Sequence, residues 1–416
     1  MKHVLIIGGG FAGLWSAASA ARQLAELGKL AQITLINPEP WHSIRVRNYE
    51  ADLSDTRVDL SSVLEPIGVD LLIGKATFID TDSRVVTVQT QAPTHESTLN
   101  LPYDTLILAS GSHLVRPSTP GVAEHTFDVD TYSAALKLQR HIDDLATAPA
   151  MPGRFTALVI GSGATGVEIA CELPARLRAA AGSSDGSGTP APVRVILADR
   201  GPKIARGLGG GQPVIERACR ELGIELLTDF GLASVDSHGV ILSDGRRIEA
   251  STVVWCTGMQ ANELTQCVEA KQDSHGRLKV DEFMRVSGID HLFCAGDVAH
   301  ALIDGDRPSV MSCQHARPMG RFAGHNAVNE LFGLPMQPLS IDWYTNIVDL
   351  GPWGAVYTQG WDREVVAEGA QAKATKSVIN CERIYPPRQG NREQILAAAT
   401  LDLQRPPQLK PTATTS

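Results

Sequence analysis

The chain is poor in the features that would build a fold by cross-linking, by metal binding or in a membrane. Its cysteines are Cys171, Cys219, Cys256, Cys267, Cys294, Cys313 and Cys381. They are scattered, odd in number and never spaced C-x-x-C, which excludes a disulfide framework, a zinc-finger spacing and a closely spaced redox pair. The pattern suits a reducing cytosol. No stretch reaches eighteen apolar residues, so nothing reads as a membrane span. The apolar run Val4–Ile7 is followed at once by three glycines, too short for the core of a signal peptide, and reads instead as a buried strand. Basic residues are the minority, 37 Lys and Arg against 46 Asp and Glu, for a net charge of −9. Without a basic patch, nucleic acid is not expected as a partner, and the acidity argues against tight binding to anionic lipid. Aromatics are 5% of the chain, hydrophobic residues 43% and charged residues 20%, an ordinary globular balance over 416 residues, enough for two or three domains.

Glycine, by contrast, is placed with purpose. Gly8-Gly9-Gly10-Phe11-Ala12-Gly13 follows Val4-Leu5-Ile6-Ile7, and Gly161-Ser162-Gly163-Ala164-Thr165-Gly166 follows Ala157-Leu158-Val159-Ile160. Both read G-x-G-x-x-G between a buried strand and an alanine-rich helix. The first glycine allows the tight turn, the second lets backbone approach a pyrophosphate, and the third lets helix pack on strand. Phosphates then meet the free N–H groups and positive end of a helix. Two such sites imply two dinucleotides held together, the arrangement for passing electrons between them.

The turns head two similar units. Second strands are expected at Gln32–Ile36 and Val193–Ala198. Further strands follow at Ala76–Asp80 and Val85–Gln89 in the first unit, and at Val240–Leu242 and Arg247–Glu249 in the second. Each unit closes on an apolar strand running into glycine: Thr105–Gly111, and Thr252–Gly258. About 98 residues separate Gly13 from Gly111 and about 92 separate Gly166 from Gly258, a duplication at domain scale. The alternation of strand and helix predicts α/β architecture with parallel sheets. Gly182–Pro192 reads as a flexible surface loop and Gln404–Ser416 as a disordered tail.

On these motifs the chain resembles the two-dinucleotide-binding-domain flavoproteins of the pyridine nucleotide-disulfide oxidoreductase superfamily that lack the redox cysteine pair. Within them it is similar to type II NADH dehydrogenases and their soluble relatives, over roughly residues 1–390. The third signature is His291-Leu292-Phe293-Cys294-Ala295-Gly296-Asp297-Val298-Ala299. The resemblance implies two Rossmann-like domains, for FAD and NAD(P), in glutathione-reductase-like topology, with a C-terminal α+β segment. The expected division is 1–120 and 261–335 for the FAD domain, 121–260 for the NAD(P)H domain and 336–416 for an interface or acceptor segment.

It also implies roles for residues. FAD would be held by Gly8, Gly10, Phe11, Ala12 and Gly13 of the first turn. Ala109, Ser110 and Gly111 would contact it at the closing strand, with Asp297 on the ribityl chain beside Val298. Asp297 capping the next turn is the plainer alternative. Asn37 stands where an acid usually meets the ribose, with Glu39 nearby. Arg45 is a partner for flavin or pyrophosphate, or else a solvated arginine, and the backbone of Ala76 would meet adenine. The nicotinamide cofactor would lie on Gly161, Gly163, Ala164, Thr165 and Gly166, with Gly258 at the closing strand. Asp199 and Arg200 would face its ribose. A 2′-phosphate 4 Å from Asp199 would cost about 4 kcal/mol at an effective dielectric of 20, so NADH is expected over NADPH. Glu168 is read two ways: as an acid near the nicotinamide and flavin rings, or as one complementing the helix dipole from the first turn.

Met311–Gly320 occupies the place of the flavin-facing Ala-Gln-x-Ala-x-Gln segment of type II dehydrogenases. Cys313, Gln314 and Ala316 match its first half, while Pro318 replaces the second glutamine and should delay or kink the helix. Cys313 is either a thiol beside the flavin or a small buried residue. Gln314 and Glu168 are the candidates for direct parts in the chemistry, which otherwise needs mainly positioning.

The expected activity is hydride transfer from NADH to bound FAD and then electron transfer to a quinone or similar small acceptor. A reductase for a protein electron carrier, a biosynthetic FAD-dependent oxidase and an NADH-responsive redox sensor remain open alternatives. The aromatic cluster with Trp343, Trp353 and Trp361 fits an acceptor tunnel, a homodimer face or a sheet core. Residues 391–416 lack a long basic amphipathic pattern, so a cytoplasmic enzyme, at most loosely peripheral to the inner membrane face, is expected.

Overall fold

The computed structural model describes residues 1–92, 95–182 and 191–407. The Pro/Thr-rich tail expected to be disordered lies outside them from residue 408 on, and most of the expected surface loop, 183–190, is likewise outside.

Two parallel sheets form the frame. The first runs in the order Leu292–Cys294, Thr105–Leu108, His3–Ile7, Gln32–Asn37, Asp70–Ile73. The second runs Ile224–Leu227, Arg194–Ala198, Thr156–Ile160, Thr252–Trp255. In each, the strand before the glycine turn is central, and its apolar residues are buried on both sides, as parallel strands covered by helices must be. Leu292–Cys294 pairs in parallel with Leu106–Leu108 of the first sheet although the whole second unit intervenes in sequence. The two crossings between units pair with each other: Ser112–Leu114, leaving the first, is antiparallel to Met259–Ala261, returning from the second. Small antiparallel sheets, Lys75–Asp80 with 85–92 and 95–102, and Leu232–Asp236 with Gly239–Leu242 and Arg247–Glu249, follow the second strands of the two units.

The C-terminal part is a three-stranded antiparallel sheet, Thr345–Asp349, Ala355–Gln359 and Glu364–Glu368, followed by helices Gly369–Val378 and Arg392–Ala398. Its aromatics mostly pack. Tyr357 is fully buried, the Tyr344 and Trp361 rings stack with centroids 4.8 Å apart, and Trp353 donates its indole N–H to Glu221 at 2.7 Å. Trp343 differs, as described below.

The helix Cys313–Leu331 corrects one expectation. It starts at Cys313 and runs on through Pro318, with no late start. Pro318 forfeits the hydrogen bond to the Gln314 carbonyl, a loss of about 3 kcal/mol in an isolated helix. Tertiary packing outweighs it. A Cβ on Gly320 would stand 2.2 Å from the Ala12 carbonyl oxygen, and one on Gly324 2.1 Å from that of Ser16. The helix therefore lies backbone to backbone on helix Phe11–Leu27, and that contact holds its first turn in place.

Candidate active site

The two glycine turns are built alike, bond for bond. Gly8 and Gly161 both have φ near +110°, a conformation that L side chains avoid. Gly8 N–H donates to the Ile36 carbonyl and Gly161 N–H to that of Ala198, each at 2.8 Å. A Cβ on Gly13 would lie 1.7 Å from the Gly8 oxygen, and one on Gly166 1.8 Å from the Gly161 oxygen. At Gly10 and Gly163 a Cβ would meet nothing within 4 Å. The first and third glycines thus serve the protein's own packing, and the second faces open space in both units. Gly10 caps helix Phe11–Leu27 without any side-chain bond, so the first-turn N–H groups are left for an anion.

The end of the second strand closes each turn. Asn37 accepts from Gly9 N–H at 2.8 Å and donates to the Glu39 carbonyl at 2.6 Å. The Glu39 side chain is exposed. Asp199 is the counterpart. It accepts from Ser162 N–H at 3.0 Å, from the Ser162 hydroxyl, and from Gly201 N–H at 2.8 Å. Partial burial would raise the Asp199 carboxyl, but these hydrogen bonds outweigh it and hold the group below the usual range. Arg200 is exposed, and the positive field at Asp199 comes from Arg206. His42, fully buried, donates its Nδ1–H to the Gly9 carbonyl at 2.9 Å and meets Phe11 edge-on at 4.9 Å. Burial lowers its imidazole to about 4, so it braces the first turn as a neutral ring.

Around Asp297 the units converge. Ser112 donates its hydroxyl to Asp297 at 2.6 Å, and the Arg45 guanidinium stands 3.7 Å away. Arg45 also donates to the Ser112 hydroxyl at 2.9 Å and pairs with Asp130, whose other oxygen accepts from Leu114 N–H at 3.1 Å. Arg45 is therefore no solvated arginine. It ties Asp297 to the crossing between units. Burial raises the Asp297 carboxyl, with Ser112 and Arg45 pulling it back. The buried hydroxyls of Ser110, at the closing strand, and Ser312, at the cap of helix Cys313–Leu331, find no hydrogen-bond partner among the described residues. Ala109 N–H bonds the Ile7 carbonyl at 2.9 Å, Gly111 takes a positive φ of 74°, and Val298 is fully buried beside Asp297. Ala76 sits buried in the strand after the first sheet, opposite Val88. In the second unit Gly258 repeats the Gly111 turn at φ 85°, with Val115 N–H on its carbonyl at 2.6 Å, while Ala164 and Thr165 form the first helical turn.

Glu168 is placed differently from its dipole reading. Helix Ala164–Gly182 puts it fifth, past the first turn. It is buried, accepts from Asp349 N–H at 3.2 Å and pairs with Lys376, which also donates to the Ile347 carbonyl at 3.1 Å. Burial raises the Glu168 carboxyl and Lys376 opposes the shift. No sequence motif points to Lys376, Asp349 or Ser112. Lys376 lies 208 residues from Glu168, and no local spacing could have announced the pair.

Gln314 is held by Thr345, which donates its backbone N–H at 3.2 Å and its hydroxyl at 2.7 Å to the amide oxygen. Burial raises the Cys313 thiol, which argues for a small packed residue over a thiolate. Both residues border a cavity, open to solvent, that is also lined by Ile379, Arg383, Ile384 and residues 403–407. Among the described residues no helix is long and apolar enough to cross a membrane.

Two parallel sheets, each carrying a glycine turn at the end of a central strand, define an α/β fold of the dinucleotide-binding type. Residues 2–320 match the model of the pyridine nucleotide-disulphide oxidoreductase family, and the chain belongs to that family. It is 49% identical to an NADH dehydrogenase-like protein of Mycobacterium tuberculosis over 98% of this chain and 100% of the relative. It is 24% identical to the type II NADH:quinone oxidoreductase of Staphylococcus saprophyticus, over 92% and 95%. Its fold is shared by the sulfide:quinone oxidoreductase of Aquifex aeolicus, at TM-score 0.75 and 20% identity, covering 94% of this chain and 92% of that one.

Proposed function

We propose that the protein oxidises NADH through a bound FAD and passes two electrons to a quinone or similar small acceptor. The observation that carries this is the pair of glycine turns, each at the end of a central parallel strand and each with its second glycine open. The relatives named as NADH dehydrogenase-like and as NADH:quinone oxidoreductase support it. The donor set fits FAD at the first turn: uncapped helix N–H groups for pyrophosphate, Asp297 for ribityl hydroxyls, and the unpartnered Ser110 and Ser312 hydroxyls. When bound, FAD supplies a two-electron carrier between nicotinamide and acceptor. NADH gives up a hydride and becomes NAD⁺, and the acceptor gains two electrons and two protons, one proton carried by the hydride and one taken from solvent.

The protein contributes position and proton control. Asp199 fixes the second turn and offers a carboxylate to the adenosine ribose of NADH. Gln314, anchored by Thr345, presents its amide at the acceptor cavity. Glu168, buried and raised by that burial, is the group suited to hold a proton beside the rings.

The purified holoprotein is expected to be yellow, to lose its colour on anaerobic addition of NADH, and to regain it with 2-methyl-1,4-naphthoquinone. Bound flavin that keeps its colour in excess NADH would end this reading. Asp199→Ala should weaken NADH binding about tenfold, roughly 1.4 kcal/mol, with flavin content unchanged. Loss of flavin in that variant, measured by absorbance after extraction, would mean that the cofactors are assigned to the wrong turns.

A further inference from the structure

The cavity beside Gln314 is a cationic chamber with little to neutralise it. Four arginines line it, Arg317, Arg321, Arg383 and Arg405, and among the described lining residues there is no aspartate or glutamate. Arg405, largely exposed, is paired outside with Asp342 at 2.9 Å. The other three find neutral oxygens. Arg317 donates to the Gln404 amide at 3.2 Å, Arg321 to the Asp402 carbonyl at 3.2 Å and Arg383 to the Arg405 carbonyl at 2.6 Å. Arg321 is 6% exposed.

The deficit extends to individual donors. The Nε atoms of Arg317 and Arg321 and the indole nitrogen of Trp343, all on lining residues, are buried without a hydrogen-bond partner among the described residues. Beyond the Gln404 amide, the side-chain compensation is the face of Trp15, with Arg317 and Arg321 at 5.3 and 4.5 Å from its centre. Such contacts are weak beside the cost of desolvating a guanidinium. Burial lowers both guanidinium groups to about 10. Repulsion from Arg321 adds to the effect at Arg317, and at Arg321 the field of Asp402 is the only opposing contribution. Two like charges held half-desolvated at a cavity wall, with donors in excess and no carboxylate bonded to either among the described residues, are explained by a ligand that brings the anion.

We propose that the acceptor bound here is itself anionic: a quinone-type aromatic carrying a carboxylate or sulfonate, its charge held by Arg317 and Arg321 while its rings lie against Pro318, Trp343, Ile379 and Leu403. This rests on the reading of the cavity as the acceptor site.

The test compares 1,4-naphthoquinone-2-sulfonate with neutral 2-methyl-1,4-naphthoquinone as acceptors for the NADH-reduced holoprotein. The ratio of their kcat/KM values is measured in the wild type, in Arg317→Gln and in Arg321→Gln. Comparing the ratio across proteins cancels the different intrinsic reactivities of the two quinones. The ratio should fall at least tenfold in each variant, mainly through KM of the sulfonate. An unchanged ratio in both overturns the proposal and leaves the NADH–flavin–acceptor reading intact. Failure of NADH to reduce the flavin sinks both. Should neither variant fold, naphthalene-2-sulfonate, which takes no electrons, decides in the wild type. It should inhibit competitively against the quinone, and no inhibition would overturn the anionic site.

Discussion

Gly10→Val is expected to yield a folded but colourless protein, and Gly163→Val a yellow one whose colour NADH no longer bleaches. Both substitutions enter open space, with nothing within 4 Å of the new Cβ, and Gly10 has an extended backbone at φ −73° that valine adopts freely. The fold therefore tolerates them, while the added methyls occupy the ground where a pyrophosphate must approach the backbone. Affinity for the respective nucleotide should fall at least a hundredfold, about 2.7 kcal/mol. Circular dichroism establishes folding, extraction measures the flavin, and anaerobic titration reads the NADH step. Gly13→Ala makes the contrast. Its Cβ would lie 1.7 Å from the Gly8 oxygen, so this smaller change should cost the fold itself. A yellow Gly10→Val protein, or a Gly163→Val protein that NADH bleaches normally, would show that these glycines face no cofactor.

The second large effect is at the pair joining the second unit to the C-terminal helix. Lys376→Met removes the only cation bonded to Glu168 among the described residues and leaves there a buried carboxylate with one hydrogen bond, from Asp349 N–H. Breaking one side of such a pair costs about 3–5 kcal/mol. The loss depends on pH in a definite direction. Burial already raises the Glu168 carboxyl, and without Lys376 it rises further, so the folded variant binds a proton more tightly than the unfolded chain. Its deficit against wild type is then full at pH 8 and shrinks as pH falls toward the unfolded carboxyl value. Thermal midpoints of the holoproteins at pH 8 and pH 5 measure this. Adding Glu168→Gln to Lys376→Met should recover most of the loss at pH 8. Equal deficits at both pH values, or no recovery in the double variant, would refute the account.

How much of the fold is legible in the residue order depends on the range of each interaction. Both turns, the strands at Thr105–Leu108 and Thr252–Trp255, and the hairpin pieces Gly239–Leu242 and Arg247–Glu249 are local, each signalled by apolar runs against glycine. Pro318 shows where local reasoning fails. Its propensity argues against a helix, yet Gly320 and Gly324, a turn or two on, bring that helix onto the backbone of Ala12 and Ser16. The glycines are visible in the sequence, but their partner helix, some 300 residues away along the chain, is not.

The same division holds at the site. Residue order alone determined that two glycine turns follow buried strands, that a polar residue, Asn37 or Asp199, ends each second strand, and that a Gly-Asp element comes third, because these rest on backbone conformations only certain residues adopt. Only the tertiary structure decided that Arg45 bridges Asp297 and Asp130, that Lys376 neutralises Glu168, and that Arg317 and Arg321 face a cavity without a carboxylate. Charge pairing acts through space over a few ångströms, and the chain distance between partners carries no trace of it.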